Sequence, residues 1–433
     1  LPCKLRNQRL LPTIDDLEEK YGLKGSKVLL RVDINSPIDP ETGEILDDSR
    51  IRAHSVTVRD LVERGAAVVV LSHQGRPGES DFTSLRRHAE LLSKYSGVAV
   101  EFIDDVIGPE ARRRISELRP GEALLLDNTR LMSEEIIEAK PERHAKSIFV
   151  QRLAPLVNYY VNDAFATAHR SQPSIVGFPL LMPSAVGRVM EKELAALARL
   201  YSAEERPRVF VLGGGKVHDT IRILEHLHSN KAADRVLTAG LVAELFLVAK
   251  GIDIGEANRR LLETKGIMAL VPRARRLLLR GIPLETPLDF VTLVDGDVRV
   301  EPVGNVRGLI RDIGPQTVKM YSEIMKEARL IVLRGPAGVV EDPRFREGSR
   351  ALVKAAVESD AFVIIGGGHL NAIVSELGLQ GRENLHISTG GGALLLFLAG
   401  EELPGLTALQ LSASKFFPEF ASVREEKGVA TGS

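Results

Sequence analysis

In the first half of this 433-residue chain, charged and amide side chains recur just beyond short apolar runs. VLLRV (28–32) leads into Asp33 and Asn35, and AAVVVLS (66–72) leads into His73 and Arg76. ALLLD (123–127) is followed by Asn128 and Arg130, and LVNYYVND (156–163) by His169 and Arg170. A polar loop between the first two runs carries Arg50 and Arg52. Ligands of open α/β sheets bind outside the carboxyl ends of the strands. If these runs are parallel strands, Arg50, His73, Arg76, Arg130 and Arg170 converge on one rim. Such a cluster repels itself unless an anion sits in it, and guanidinium forks match phosphate and carboxylate oxygens. One arginine after a strand is more often a surface ion pair. Repetition at four strand ends points instead to a small ligand with several anionic oxygens.

In the second half the strand ends are rich in glycine: GGGK (213–216), GPAG (335–338), GGGH (366–369) and TGGG (389–392). Glycine lets backbone approach a ligand closely, and the N-terminus of a following helix binds phosphate. One triplet is weak, because turns use glycine anyway; three triplets suggest a nucleotide. Neither a GxGxxG fingerprint nor a GxxxxGK[ST] loop is present. Two facing phosphate sites imply phosphoryl transfer, with Lys216 placed to stabilise the transferring group as a point charge. No activated Ser or Cys nucleophile is evident, which suits an acceptor that is already anionic, such as a carboxylate.

The elements that must hold these residues follow from the same pattern. Nearly continuous apolar runs suit strands buried on both faces of a parallel sheet. The second half supplies RVFVLGG (208–214), RVLTAG (235–240), VTLVDG (291–296), LIVLRG (330–335), FVIIGGG (362–368) and LHISTGGG (385–392). Between the runs lie helical patterns over 55–65, 84–97 and 349–360, with stops at Gly65, Gly97 and Gly251. So many parallel strands exceed one ordinary sheet. EKELAALARLYSAEERP (191–207) therefore reads as a helix connecting two α/β domains. Lys plus Arg number 57 against 58 Asp plus Glu, so nothing global attracts nucleic acid or an anionic membrane. Cys3 is the one cysteine, which excludes an intrachain disulfide and a Cys-based zinc site. No apolar run reaches the roughly 20 residues of a bilayer span, and cytoplasm is the expected compartment.

These motifs converge on one family. RVDINSP (31–37), DDSRIRA (47–53), LSHQGRP (71–77), LLLDNTRL (124–131), NDAFATAHRSQPSIVG (162–177), GGGKVHDT (213–220), DIGPQT (312–317), GPAGVVE (335–341), GGGHLNA (366–372), STGGGA (388–393) and LPGLTAL (403–409) span nearly the whole chain. The chain resembles phosphoglycerate kinases, with motif details closer to the archaeal branch. The resemblance implies two doubly wound parallel-sheet α/β domains joined by a hinge helix. Residues 1–187 would form the phosphoglycerate domain, with 408–433 returning to it, and 188–407 the nucleotide domain. It implies reversible phosphoryl transfer between 1,3-bisphosphoglycerate with MgADP and 3-phosphoglycerate with MgATP, in a monomer or a dimer through the tail. Substrate binding would map onto Asp33, Asn35, Arg50, His73, Gly75, Arg76, Arg130 and Arg170. Arg50 and Lys216 would be the catalytic charge stabilisers. Nucleotide contacts would map onto Gly213, Gly214, Lys216, Thr220, Gly335, Glu341 at the ribose, Gly366, Gly367, Gly368, His369, Thr389 and Gly390. Sites on separate domains also require the domains to close for in-line transfer.

Three departures matter. Thr220 stands where the family has a second lysine, and His369 where it has an aspartate that helps hold the metal–nucleotide. Imidazole is a poor Mg²⁺ ligand, so the metal would be held by nucleotide, water and a carboxylate such as Asp219; Asp219 could equally be a helix-start residue. The chain also continues past LPGLTAL, where Phe416, Phe417 and Phe420 would anchor a tail on a domain surface, a free or partner-binding tail being the alternative. Thr220 and His369 keep a second reading open, a binding protein of the same fold with impaired catalysis. The missing fingerprint disfavours a nicotinamide-dependent dehydrogenase.

Overall fold

The structure, a computed structural model, describes residues 11–422, with side chains through Phe420. Cys3 and the tail beyond Ser422 lie outside the described residues. Two compact units emerge, one of residues 11–195 with 402–422 and one of residues 196–401. The exchange points fall at Ala195/Ala196 and Glu401/Glu402, against the expected 187/188 and 407/408.

The first unit is built on six parallel strands: β1 Lys27–Arg31, β2 Ala67–Leu71, β3 Val100–Ile103, β4 Ala123–Leu126, β5 Tyr159–Asn162 and β6 Ser184–Val186. Their order is β3-β4-β2-β1-β5-β6. β2 is buried along its whole length, as its β-branched run requires of a strand covered on both faces. The chain leaves β1 toward β2 on one side and reaches β5 on the other, so the strand order reverses beside β1. A crevice opens at such a switch point, just where Asp33 and Asp163 emerge.

Helix Ser49–Glu63 begins six residues before the expected start at 55. The Ser49 amide donates to the Asp47 carboxylate at 2.9 Å, and Arg52 N–H to the Asp48 carbonyl at 3.0 Å, which opens the first turn here. Arg50 and Arg52 therefore sit on a helix rather than a loop.

The second unit has six parallel strands too: β7 Arg208–Leu212, β8 Arg235–Thr238, β9 Leu284–Glu285, β13 Leu330–Arg334, β14 Phe362–Gly366 and β15 Leu385–Ser388. Their order is β15-β14-β13-β7-β8-β9, with the reversal between β7 and β13. Between β9 and β13 lies an antiparallel sheet of β10 Asp289–Val294, β11 Asp297–Pro302 and β12 Leu309–Ile313. The run VTLVDG, expected in the parallel sheet, forms β10 of this ribbon instead. Asp295 and Gly296 both adopt positive φ, 48° and 92°, and turn the chain directly into β11. An Asp-Gly pair between apolar runs is a strong hairpin signal, and it outranks the length of the run before it.

The connecting helix runs from Arg188 to Ala198, and one 3-10 turn follows at Arg199–Tyr201, so it ends well short of residue 207. Its start is held by Asp163, which is fully buried. One carboxylate oxygen accepts from the amides of Val189 and Met190 at 2.8 and 3.2 Å. The other accepts from Thr57 Oγ1 at 2.7 Å and lies 2.8 Å from His54 Nδ1. Asp163→Ala orphans all four groups. It is expected to destabilise the protein by about 2–3 kcal/mol, read as a fall in urea midpoint. An unchanged midpoint would show the connector to be held by other contacts.

After Glu402 the chain returns to the first unit. Gly405 N–H donates to the Ala168 carbonyl at 2.8 Å, and Ser412 Oγ to the Met182 carbonyl at 3.0 Å. Phe417 is buried in the first unit's core, 5.5 Å edge-on from Tyr21, and Phe416 and Phe420 pack beside it. No helix among the described residues is long and apolar enough to cross a membrane.

Candidate functional site

In the first unit the strand ends gather the cations. Asp33, almost fully buried, takes an ion pair from Arg50 Nη1 at 2.6 Å. Burial pushes the Asp33 carboxyl up, but its charged neighbours, Arg50 first and Arg31 with it, draw it below its ordinary value. His73 is held well below its ordinary value, first by burial and then by Arg31, Arg130 and Arg50, so it is a neutral imidazole. Arg130, half-buried, is lowered by burial and by Arg31, Arg170 and Arg76. Cations that depress one another in this way can take an anion.

The loop after β2 is threaded tightly into this rim. Gly75 has φ 63°, and a Cβ there would collide with Asp81. Its amide donates to Asn35 Oδ1 at 2.9 Å, and its carbonyl accepts from Arg130 Nη1. Arg76 is exposed, and Arg170 lies 4.0 Å from Glu138, so both guanidiniums keep donors for a ligand. Arg52 turns to the opposite face of its helix, stacking 4.5 Å from the Tyr95 ring, and takes no part.

One residue of this cluster escaped sequence reasoning. Arg31, fully buried at the end of β1, donates to Ser174 Oγ at 2.9 Å and to the Val32 carbonyl, and its Nη2 lies 3.2 Å from His73 Nδ1. Glu135 is buried nearby and takes a hydrogen bond from Ser174. The signal was available: a charge inside VLLRV cannot be buried without partners.

In the second unit the strand-order reversal carries a pocket of about 860 Å³. Gly213 N–H donates to the Arg334 carbonyl at 2.8 Å, and Gly214 N–H to the Pro336 carbonyl at 2.8 Å. The two loops touch so closely that a Cβ on Gly213 would strike the Pro336 carbonyl, and one on Gly335 (φ 77°) the Gly213 carbonyl. Helices Val217–Ser229, Gly368–Glu376 and Gly391–Leu398 begin beside the pocket, and the first amides of a helix, which have no partner within it, suit phosphate. Lys216, exposed, precedes the first of these. Glu341 and His369 line the opening, 3.2 Å apart.

Gly213, Gly214, Lys216, Gly335, Glu341, Gly366, Gly367, Gly368 and His369 all line this pocket. Thr220 does not: it is buried, and its hydroxyl donates to the Lys216 carbonyl at 3.0 Å, back-bonding within its own helix. In the last loop Gly391 and Gly392 form the wall rather than Thr389 and Gly390. Sequence reasoning missed Arg334 at the end of β13. It lines the pocket, and burial lowers its proton affinity while Asp219 raises it.

No cluster of three His, Cys, Asp or Glu side chains suited to a resident metal occurs among the described residues. Mg²⁺ needs no such cluster, since it commonly keeps its waters and takes one carboxylate plus nucleotide phosphates. Asp219 is the candidate for that role in the first turn of the helix after Lys216: it is partly exposed and 4.0 Å from Arg222, but it is not among the residues that line the pocket.

Residues 14–401 match the family model for phosphoglycerate kinase. The chain is 55% identical to the phosphoglycerate kinase of Sulfurisphaera tokodaii over 93% of its own length and 96% of the relative's. It is 56% identical to that of Sulfolobus acidocaldarius, with the same coverage. The crystal structure of phosphoglycerate kinase from Pyrococcus horikoshii superimposes with a TM-score of 0.84 at 41% identity, covering 94% of this chain and all of that one. The Coxiella burnetii phosphoglycerate kinase structure gives 0.76 at 31%, covering 92% and 98%. None of these likenesses favours the catalytically impaired alternative. With identity sustained over nearly the full length of both chains, and two parallel-sheet domains in common, the chain belongs to the phosphoglycerate kinase family, as a phosphotransferase of archaeal type.

Proposed function

We propose that the chain transfers a phosphoryl group reversibly between 1,3-bisphosphoglycerate with ADP and 3-phosphoglycerate with ATP, using the two sites described. The observation that carries this reading is the cluster of buried Arg31 and His73 with half-buried Arg50 and Arg130, Arg50 paired to Asp33, and Arg76 and Arg170 at its edge. It matches a small ligand bearing phosphate and carboxylate, which Asn35 and Gly75 help to frame.

Nucleotide phosphates lie on the amides of the glycine loops, with Glu341 toward the ribose. Asp219 would hold Mg²⁺ together with the nucleotide and water, and the ion supplies charge neutralisation at the phosphates. The acceptor is the substrate's own carboxylate, ionised at neutral pH, so no general base is needed. Arg50 and Lys216 supply positive charge where the transferring group gains negative charge. Because acceptor and phosphoryl group must meet in line, the two domains close during turnover. Phe417 is consumed inside the first unit, so the tail gives no reason to expect a dimer, and the working form is a cytoplasmic monomer.

A turnover assay with 3-phosphoglycerate and MgATP, coupled to ADP release, tests the assignment. Saturation in both substrates is expected, with no turnover when another hydroxy acid replaces 3-phosphoglycerate. A chain that binds both ligands and remains silent across a wide temperature range would overturn it.

A further inference from the structure

Helix Gly240–Ala249, GLVAELFLVA, is buried from Val242 to its end, and one side chain in that stretch is charged. Glu244 is only 2% exposed, and its Oε2 has no hydrogen-bond partner. Lys265 and Arg311 line the same pocket, yet neither pairs with it. Burial pushes its carboxyl up to about 8. At neutral pH it is mostly an acid, with one O–H to donate and one C=O to accept. A buried polar group left unmatched costs the fold free energy, and in native proteins such an orphan needs a reason.

The surroundings supply one. Leu241 and Glu244 are three residues apart on one helix face. Both line the nucleotide pocket, in company with Leu261, Ile310 and Val339. Leu241, Glu244 and Leu261 come from the helices after β8 and Ile310 from the antiparallel ribbon, while Val339 extends the loop after β13. The pocket therefore has a polar wall of backbone amides suited to phosphates and an apolar wall suited to a flat ring. The carboxyl belongs to the apolar wall.

We propose that Glu244 reads the base of the nucleotide, its carboxyl pairing with the 6-amino group of adenine and the adjacent ring nitrogen. The amino group donates to the C=O, and the O–H donates to the ring nitrogen. A purine lacking the 6-amino group makes one of these bonds and leaves the C=O unmatched. The inference rests on the nucleotide reading of the pocket given above.

The test is equilibrium binding of ADP and of purine riboside 5′-diphosphate, which lacks the 6-amino group, to the full chain. Wild type, Glu244→Leu and Glu244→Gln are compared. Wild type is expected to prefer ADP about tenfold. Glu244→Leu brings the ratio near one. Glu244→Gln keeps a preference, because an amide also presents a donor and an acceptor. Removing an unmatched buried acid should not lower the thermal midpoint of the Leu variant, so a lost preference is not lost folding. Equal affinity of wild type for the two ligands overturns the inference without any variant. So does a Leu variant that keeps the wild-type ratio. In both cases ADP still binds and the pocket keeps its nucleotide assignment; absence of saturable ADP binding overturns that assignment and this inference with it.

Discussion

Lys216→Ala is expected to lower kcat by about 10²–10³-fold while the KM values for nucleotide and 3-phosphoglycerate stay within a few-fold. In the proposed complex, ground-state binding of the phosphates would be spread over many groups: the amides of three helix starts and the crossed loops at Gly213 and Gly335. None of these depends on the lysine side chain. The lysine is exposed, free to follow the transferring group, and its charge matters most when that group sits between donor and acceptor. The Thr220 departure sharpens the expectation. Its hydroxyl is committed to the Lys216 carbonyl, so nothing at that position shares the charge. Lys216→Arg keeps the charge on a broader, planar head and should recover only part of the rate. Steady-state kinetics with each substrate varied at a saturating level of the other decide the matter. A large rise in KM at preserved kcat would assign Lys216 to ground-state binding and return the charge-stabilising role to Arg50 alone.

Much of this site was legible because its chemistry sits at strand ends. A buried parallel strand announces itself as a β-branched run, and whatever polar residue follows must lie on the rim. Asp33, His73 and Arg130 were found in that way, and so were the glycine loops. What escaped lies inside the apolar runs. Arg31 and Arg334 each end a strand that reads as apolar, and Glu244 hides in a hydrophobic helix. A lone charge in such a run is itself a signal, because burial forces it to find a partner or a ligand. Periodicity averages that signal away. The three-stranded ribbon was missed for a different reason. VTLVDG has the length of a core strand, but the turn chemistry of Asp295 and Gly296 folds it into a hairpin. Arg52 shows the converse limit. Two residues from Arg50 on a helix is the other face, and only the helix start at Ser49 separates the two roles.

Arg31 permits a test in which stability and function come apart. Its guanidinium lies beneath the anion site, bonded to Ser174 and the Val32 carbonyl and touching His73. Burial pushes the Glu135 carboxyl up, and Arg31 is the main opposing influence. Arg31→Met strands that carboxyl in an apolar interior and should cost about 3–5 kcal/mol. Arg31→Met combined with Glu135→Gln removes both charges and should recover most of the loss, since a buried pair is often worth little beyond the cost of breaking it. Substrate affinity should not recover. The Arg31 Nη2 donor faces His73 Nδ1, which as the acceptor leaves the imidazole proton on Nε2, available to the ligand. Arg31 is thus a positioning residue, and the double variant should raise the KM for 3-phosphoglycerate about tenfold, with kcat changed far less. Arg31 also helps hold His73 below its ordinary value. Without it one of the charges that hold His73 down is gone, so the imidazole moves up and gains a proton more readily as pH falls. The double variant should therefore bind the anionic substrate more tightly on the acid side, a slope wild type lacks. If stability and KM recover together and the pH slope stays flat, Arg31 serves the fold alone, and His73 is oriented by its own burial.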